Sequence, residues 1–118
     1  MGRYEANVEF LGFLADVTDP GTGEIVLARL SCWLGLTEVE LEDRWTASGR
    51  SEWRNFADDV LQVLDAMQDV TDSLTASLVW YRHEPLVKEG GNSADELVAT
   101  GNTCVALALI RRVGSAPD

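Results

Sequence analysis

Histidine is nearly missing from this chain, and so are the residues that usually keep it company in a catalytic centre: His83 stands alone, with two Cys, two Met and three Pro in 118 residues. One histidine without a cysteine or carboxylate cluster at ligand spacing excludes the common zinc constellations. His83 lies in "YRHEPL" between Arg82 and Glu84. It therefore reads as an exposed or capping residue at a helix end, because a general base needs partners that this stretch does not provide. No serine occupies a nucleophile elbow. The glycine pairs "GTG" and "GG" lack the strand-to-helix context and the lysine of a phosphate loop. The expectation is a protein that is not an enzyme and takes no cofactor and no metal.

Other scarcities narrow the choice further. Cys32 in "LSCWLGL" and Cys104 in "NTCVALAL" are too few and too far apart for a disulfide framework. Their apolar contexts predict two buried thiols. Long hydrophobic runs are missing as well: "MGRYEANVEF" has no apolar stretch of signal-peptide length, and no segment approaches the roughly 20 apolar residues of a membrane span. A cytoplasmic location is expected. Positive charge is also short, with 9 Lys plus Arg against 20 Asp plus Glu, a net charge of -11 and pI ≈ 4.3. Such a surface repels a duplex unless its basic residues gather on one face, so DNA is disfavoured as a partner and a basic or polar protein is favoured.

What is present argues for a folded helical domain. Hydrophobic residues make up 46% of the chain, enough for a single core. In "SEWRNFADDVLQVLDAMQDVTD", Trp53, Phe56, Val60, Val63, Leu64, Met67 and Val70 recur at steps of three and four, while Arg54, Asp58, Asp59, Gln62, Asp65 and Asp69 fall opposite. That spacing predicts an amphipathic helix of about five turns with a solvated acidic side. Upstream, "GEIVLARLSCWLGL" is apolar on nearly every side, as a mostly buried helix would be. Gly35 breaks it, and Thr37 with Glu40 has the spacing of a capping box for "TEVELEDRW". Two helices across a glycine turn make the opening of a helix-turn-helix. The first segment is read as a helix carried by Val8, Leu11, Leu14 and Ala15, although "DPGTGE" could also turn a hairpin. These first 33 residues are apolar enough to pack on the core or on a copy of the chain, so a homodimer is a possible state.

After the long helix, Thr71, Asp72 and Ser73 offer caps for "LTASLVWYRHE", which Pro85 ends. In "GGNSADELVATGN", Ser93 and Glu96 repeat the capping-box spacing and Gly101 closes a helix of barely two turns. A last helix, "TCVALALIRRV", places Arg111 and Arg112 at the negative end of its dipole. The expected fold is all-α, a compact bundle of about seven helices. Its division is residues 1–72, with the helix-turn-helix-like segment and the long helix, and residues 73–118, the two parts packed as one domain.

Among the basic residues, Arg44, Arg50 and Arg54 lie where a recognition helix would stand, which keeps a helix-turn-helix regulator, dimeric and DNA-binding, as the alternative. Glu38, Glu40, Glu42, Asp43 and Glu52 interleave with them. A helix that reads base edges seldom carries so many carboxylates, and these acids fit a solvated face better than a metal or acid–base pair.

The run "ASLVWYRHEPLVKEGGNSADELVATGNTCVALALIRRV" resembles the toxin-binding domain of the MbcA/ParS/Xre antitoxins, which neutralise RES-domain toxins. Trp80 ends a helix, Pro85 and Leu86 follow, a glycine loop leads to Ser93, Ala94, Asp95 and Leu97, Gly101 closes the short helix, and Val105, Leu107, Leu109 and Ile110 belong to the last. "LGLTEVELEDRW" is similar to the start of that family's helix-turn-helix, here shortened and acidic. Ser93 stands where the family usually has Pro, and "HEPL" replaces its usual Pro-Asn. The resemblance implies a degenerate helix-turn-helix followed by a small helical toxin-binding-like domain. It also implies a partner of the RES class, whose attack on NAD would be stopped by occlusion. Tyr81, Arg82, Arg111, Arg112 and the tail "GSAPD" would form the contact surface, and Trp80 is expected in the core.

Overall fold

Local punctuation sets the helix boundaries. In the computed structural model, which describes residues 2–68, 70, 71, 73–83 and 93–115, the side chains of 2–7 and 113–115 excepted, the chain forms seven α-helices. They are α1 (Gly2–Val17), α2 (Leu27–Leu34), α3 (Glu38–Ser48), α4 (Trp53–Met67), α5 (Leu74–His83), α6 (Ala94–Ala99) and α7 (Thr103–Ser115). Both expected capping boxes close. Glu40 N–H donates to Thr37 Oγ1 over 3.1 Å and Thr37 N–H donates to Glu40 Oε1 over 2.9 Å. Glu96 N–H donates to Ser93 Oγ over 3.3 Å, and Ser93 N–H returns 3.1 Å to Glu96 Oε1. Each box satisfies orphan amides of a first turn.

The ends of α2 and α6 are built alike. Gly35 (φ 73°) and Gly101 (φ 78°) occupy the left-handed region, and the next residue donates back five positions, Leu36 N–H to Ser31 O at 2.9 Å and Asn102 N–H to Leu97 O at 2.7 Å. This pairing returns carbonyls that the helix would otherwise leave bare. Leu36 is buried just past the turn, as such a motif favours.

Helix α4 is the centre of the bundle. Phe56, Ala57, Val60, Val63, Leu64 and Met67 are buried, and α4 packs against α3, α5, α6 and α7. Since α3 also packs on α6, helices from either side of residue 72 share one core. The helix is shorter than its pattern predicts. It ends at Met67, where Gln68, itself buried, donates through Nε2 to Leu64 O at 3.1 Å and to Ser77 Oγ at 2.8 Å, drawing α5 against the break.

The helix expected in the first segment is present, and three other expectations are corrected. In α1 the core takes Phe10, Phe13 and Val17, with Leu14 partly buried, while Val8, Leu11 and Ala15 face outward. Two stripes in that helix have helical spacing, and the one with two aromatic rings removes more apolar area from water. Helix α2 buries one side only, Leu30, Ser31 and Leu34, and leaves Cys32 and Trp33 exposed. Cys104 is exposed too, so neither thiol is a core residue. Asp59, expected in water, is 6% exposed, and the reason is an arginine described below.

The turn between α1 and α2 realises both readings of "DPGTGE". A helix precedes it, and an isolated antiparallel bridge pairs Thr18 with Ile25, closed by Asp19 N–H to Glu24 O at 2.8 Å. Among the described residues no helix is long and apolar enough to cross a membrane. Pro85 and Leu86, the glycine loop, Asp69, Asp72 and the last residues of the tail lie outside the described residues.

Candidate functional site

Helix α6 is two turns long and needs an anchor, since so short a helix is marginal alone. The anchor is Asp95 in its first turn, 5% exposed. Arg44, on α3, directs Nε to both carboxylate oxygens, at 2.9 Å and 3.0 Å, and its Nη1 donates to Glu40 O at 3.2 Å. Arg82, on α5, brings Nε to 3.6 Å from Asp95 Oδ2, an ion pair beyond hydrogen-bond length. Its Nη1 donates to Leu34 O at 2.8 Å and Gly35 O at 3.2 Å, the carbonyls that end α2. One carboxylate thus connects α3, α5, α6 and the turn of the helix-turn-helix-like pair.

Buried charge of this kind is costly unless paired and hydrogen-bonded, and here the acid has an arginine on each side. Tyr81 sits in the same region, 1% exposed. Burial pushes its phenol well above the ordinary tyrosine range, the Asp95 charge adds to that, and Arg44 and Arg82 oppose it.

A second carboxylate does similar work at the other end of α3. Arg50 grips Asp59 with two parallel bonds, Nε to Oδ2 at 2.9 Å and Nη2 to Oδ1 at 3.1 Å. The Asp59 carboxylate, by its hydrogen bonds first and its charge second, raises the Arg50 pKa further. The Arg50 carbonyl accepts from Trp45 Nε1 at 2.9 Å, and Trp45 meets Trp53 edge-on with centroids 5.7 Å apart. Trp53 in turn donates to Ile25 O at 2.7 Å. The end of α3 also meets the α6–α7 turn, where a Cβ on Gly101 would stand 2.9 Å from Ser48 O. Glycine is needed there for the approach as well as for the dihedral angle.

The residues singled out in the sequence divide accordingly. Arg44 and Arg50 hold buried acids, and Arg54 is an exposed arginine 3.4 Å from Glu24. They do not form a basic row on α3, whose outward residues include Glu38, Val39, Glu40, Glu42 and Asp43. Tyr81 is corrected from a contact residue to a core residue, because its ring is enclosed. Arg82 is half-buried and turned inward. Trp80 packs partly buried against the core, and His83 is exposed in the last turn of α5. Arg111 and Arg112 are exposed on α7 beside Cys104, Val105 and Ala108.

Asp59 was missed as a structural acid because its partner is nine residues away across a turn. Asp95 was legible only as the acid of the short helix, and Arg44 lies 51 residues from it.

Grooves among the described residues include the following pair. One of about 840 Å³ lies between the 18–25 turn and the start of α4 and includes Glu24, Glu52, Trp53, Arg54 and Asp58. The other, about 530 Å³, is lined by Asp16, Ala28, Arg29, Cys32 and Trp33. Neither is lined by His83. Among the described residues no three of His, Cys, Asp and Glu are gathered to hold a metal ion. Compared with family models, with curated proteins and with solved structures, the chain finds no match.

Proposed function

We propose that the chain is an antitoxin-like protein-binding module that neutralises a RES-domain toxin by covering the entrance to its active site. The observation that carries this is the seating of α6. Asp95 is the acid in the run Ser93, Ala94, Asp95, Leu97 on which the resemblance rests, and it joins that short helix to α3 and α5 through Arg44 and Arg82. Gly101 then starts α7 at a set angle against Ser48. A module that works by occlusion needs its binding helices seated on a core, and the ion pairs of Asp95 give α6 that seat.

With Tyr81 enclosed and Arg82 turned inward, this reading is best supported on the outward side of α7, where Val105, Ala108, Arg111 and Arg112 combine apolar area with arginine. Arginine and exposed apolar groups together are frequent anchors of protein interfaces. DNA recognition is the weaker reading. Arg44 and Arg50 are occupied by Asp95 and Asp59, and the outward side of α3 sets carboxylates where phosphates would approach.

The test is neutralisation in vitro, followed as NAD consumption by a purified RES-domain toxin with and without the chain. Wild type should suppress consumption, and R111E/R112E should weaken suppression at least about tenfold while the helical dichroism is unchanged. Unaltered suppression by the double variant would remove α7 from the interface. Loss of helical signal would make the pair structural.

A further inference from the structure

The outward side of α1 is an apolar ridge that no described residue covers. Val8 is 52% exposed and Leu11 64%. Gly12 and Ala15 complete a stripe at steps of three and four, and a Cβ added at Gly12 would have no atom within 4 Å. Asp16, on the edge of the ridge, also lines the groove of about 530 Å³ between α1 and α2, which Trp33, 37% exposed, and Cys32 line too. Trp33 is fixed there by its edge-on contact with Phe13 (centroids 5.1 Å) and by Nε1 donating to Asp16 Oδ2 at 2.7 Å. An exposed apolar ridge beside a held indole is the kind of surface that an amphipathic helix covers.

Charge selects the occupant. On the helix, Glu9 and Asp16 run along one edge of the ridge, both exposed. Each carboxylate has one oxygen engaged inside the fold, Glu9 Oε1 by Leu74 N–H at 3.2 Å and Asp16 Oδ2 by Trp33. Arg29 is the nearby base, and its Nη1 donates to Asp16 O at 2.8 Å. A second copy brings another net charge of -11 and, packed antiparallel through a twofold axis, sets its own Glu9 and Asp16 along the same edge. An anionic lipid surface meets the same repulsion. We infer that the outward face of α1 docks an amphipathic helix of a protein partner, with an apolar side on Val8 and Leu11 and lysine or arginine along the edge that meets Glu9 and Asp16. The surface is separate from the α7 face, so the chain carries two contact surfaces of different chemistry.

The experiment uses the full chain and a fluorescent leucine–lysine peptide of amphipathic pattern about five turns long, with a scrambled peptide of the same composition as reference. Anisotropy should show saturable binding of the patterned peptide only. Leu11→Asp should weaken it at least about tenfold, whereas Val39→Asp on α3 should leave it unchanged, both variants keeping wild-type helical dichroism. Equal loss with Val39→Asp, or equal binding of the scrambled peptide, would mean that net charge alone attracts the probe and would overturn the proposal. A dimer in sedimentation that Leu11→Asp converts to monomer would assign the face to a second copy and overturn it too. Because toxin neutralisation is not the readout, the outcome is independent of the antitoxin reading.

Discussion

Helices α3 and α7 treat their charges in opposite ways. On α3 the arginine is inside and the acids are outside: Arg44 closes on Asp95, and Glu38, Glu40, Glu42 and Asp43 face water. On α7 there is no acid, and Arg111 and Arg112 are exposed. Arg44 is set apart by its partial burial against Asp95, which the spacing of the arginines does not reveal. Where a helix-turn-helix would read DNA, this chain has used the cation to hold its own short helix. It leaves an arginine-bearing surface at the far end of the chain.

The comparison breaks first at Asp95. Asp95→Ala leaves Arg44 and Arg82 facing an empty, half-buried space, and removing one partner of such a pair costs about 3 kcal/mol. Denaturant unfolding should show that loss as a lower midpoint. A loss below about 1 kcal/mol would mean that Ala94, Leu97 and Val98 hold α6 by burial alone. Next in size is Gly101→Ala, which forces a side chain into the left-handed region and within 2.9 Å of Ser48 O. The expected cost is about 2 kcal/mol, read in the same way, and a neutral result would show that the α3 end and the α6–α7 turn separate easily.

The smallest effect concerns α3 alone and depends on pH. Glu40 is held below the ordinary glutamate range, chiefly because it accepts the Thr37 N–H and then because it bonds the Thr37 side chain. A depressed carboxyl stabilises the fold at pH values above the unfolded pKa, and that contribution is lost as the pH falls through the folded one. Glu40→Gln should therefore narrow slightly the gap between melting temperatures at neutral pH and below about pH 4, with the effect kept small by full exposure. An unchanged or wider gap would show that the charge in the capping box adds nothing.

Much of the fold was readable because its determinants are local. Thr37 with Glu40, Ser93 with Glu96, Gly35 and Gly101 each act within a few residues, and spacing was enough to find them. The inward stripe of α4 was readable for the same reason. Helix α1 was legible as a helix but not in its inward side, because Val8, Leu11 and Ala15 satisfy the same period as Phe10, Phe13 and Val17, and only the position of α2 and α5 decides between them. Cys32 and Cys104 misled because apolar neighbours in sequence are not neighbours in space. The candidate site was least readable. Arg44 meets Asp95 across 51 residues and Arg82 meets the Leu34 carbonyl across 48, so the contacts that turn these two arginines inward leave no local trace. The same non-local packing encloses Tyr81.

The most direct test of an antitoxin-like module is capture of its partner. The tagged full chain would be incubated with extract of the cells that encode it, at low and at moderate salt, and whatever stays bound would be identified by mass spectrometry and nucleic-acid staining. The expected result is one stoichiometric protein of the RES class that survives moderate salt and is lost with R111E/R112E. DNA that washes away with salt, with no protein partner retained, would contradict it and return Arg44, Arg50 and Arg54 to the centre of the function.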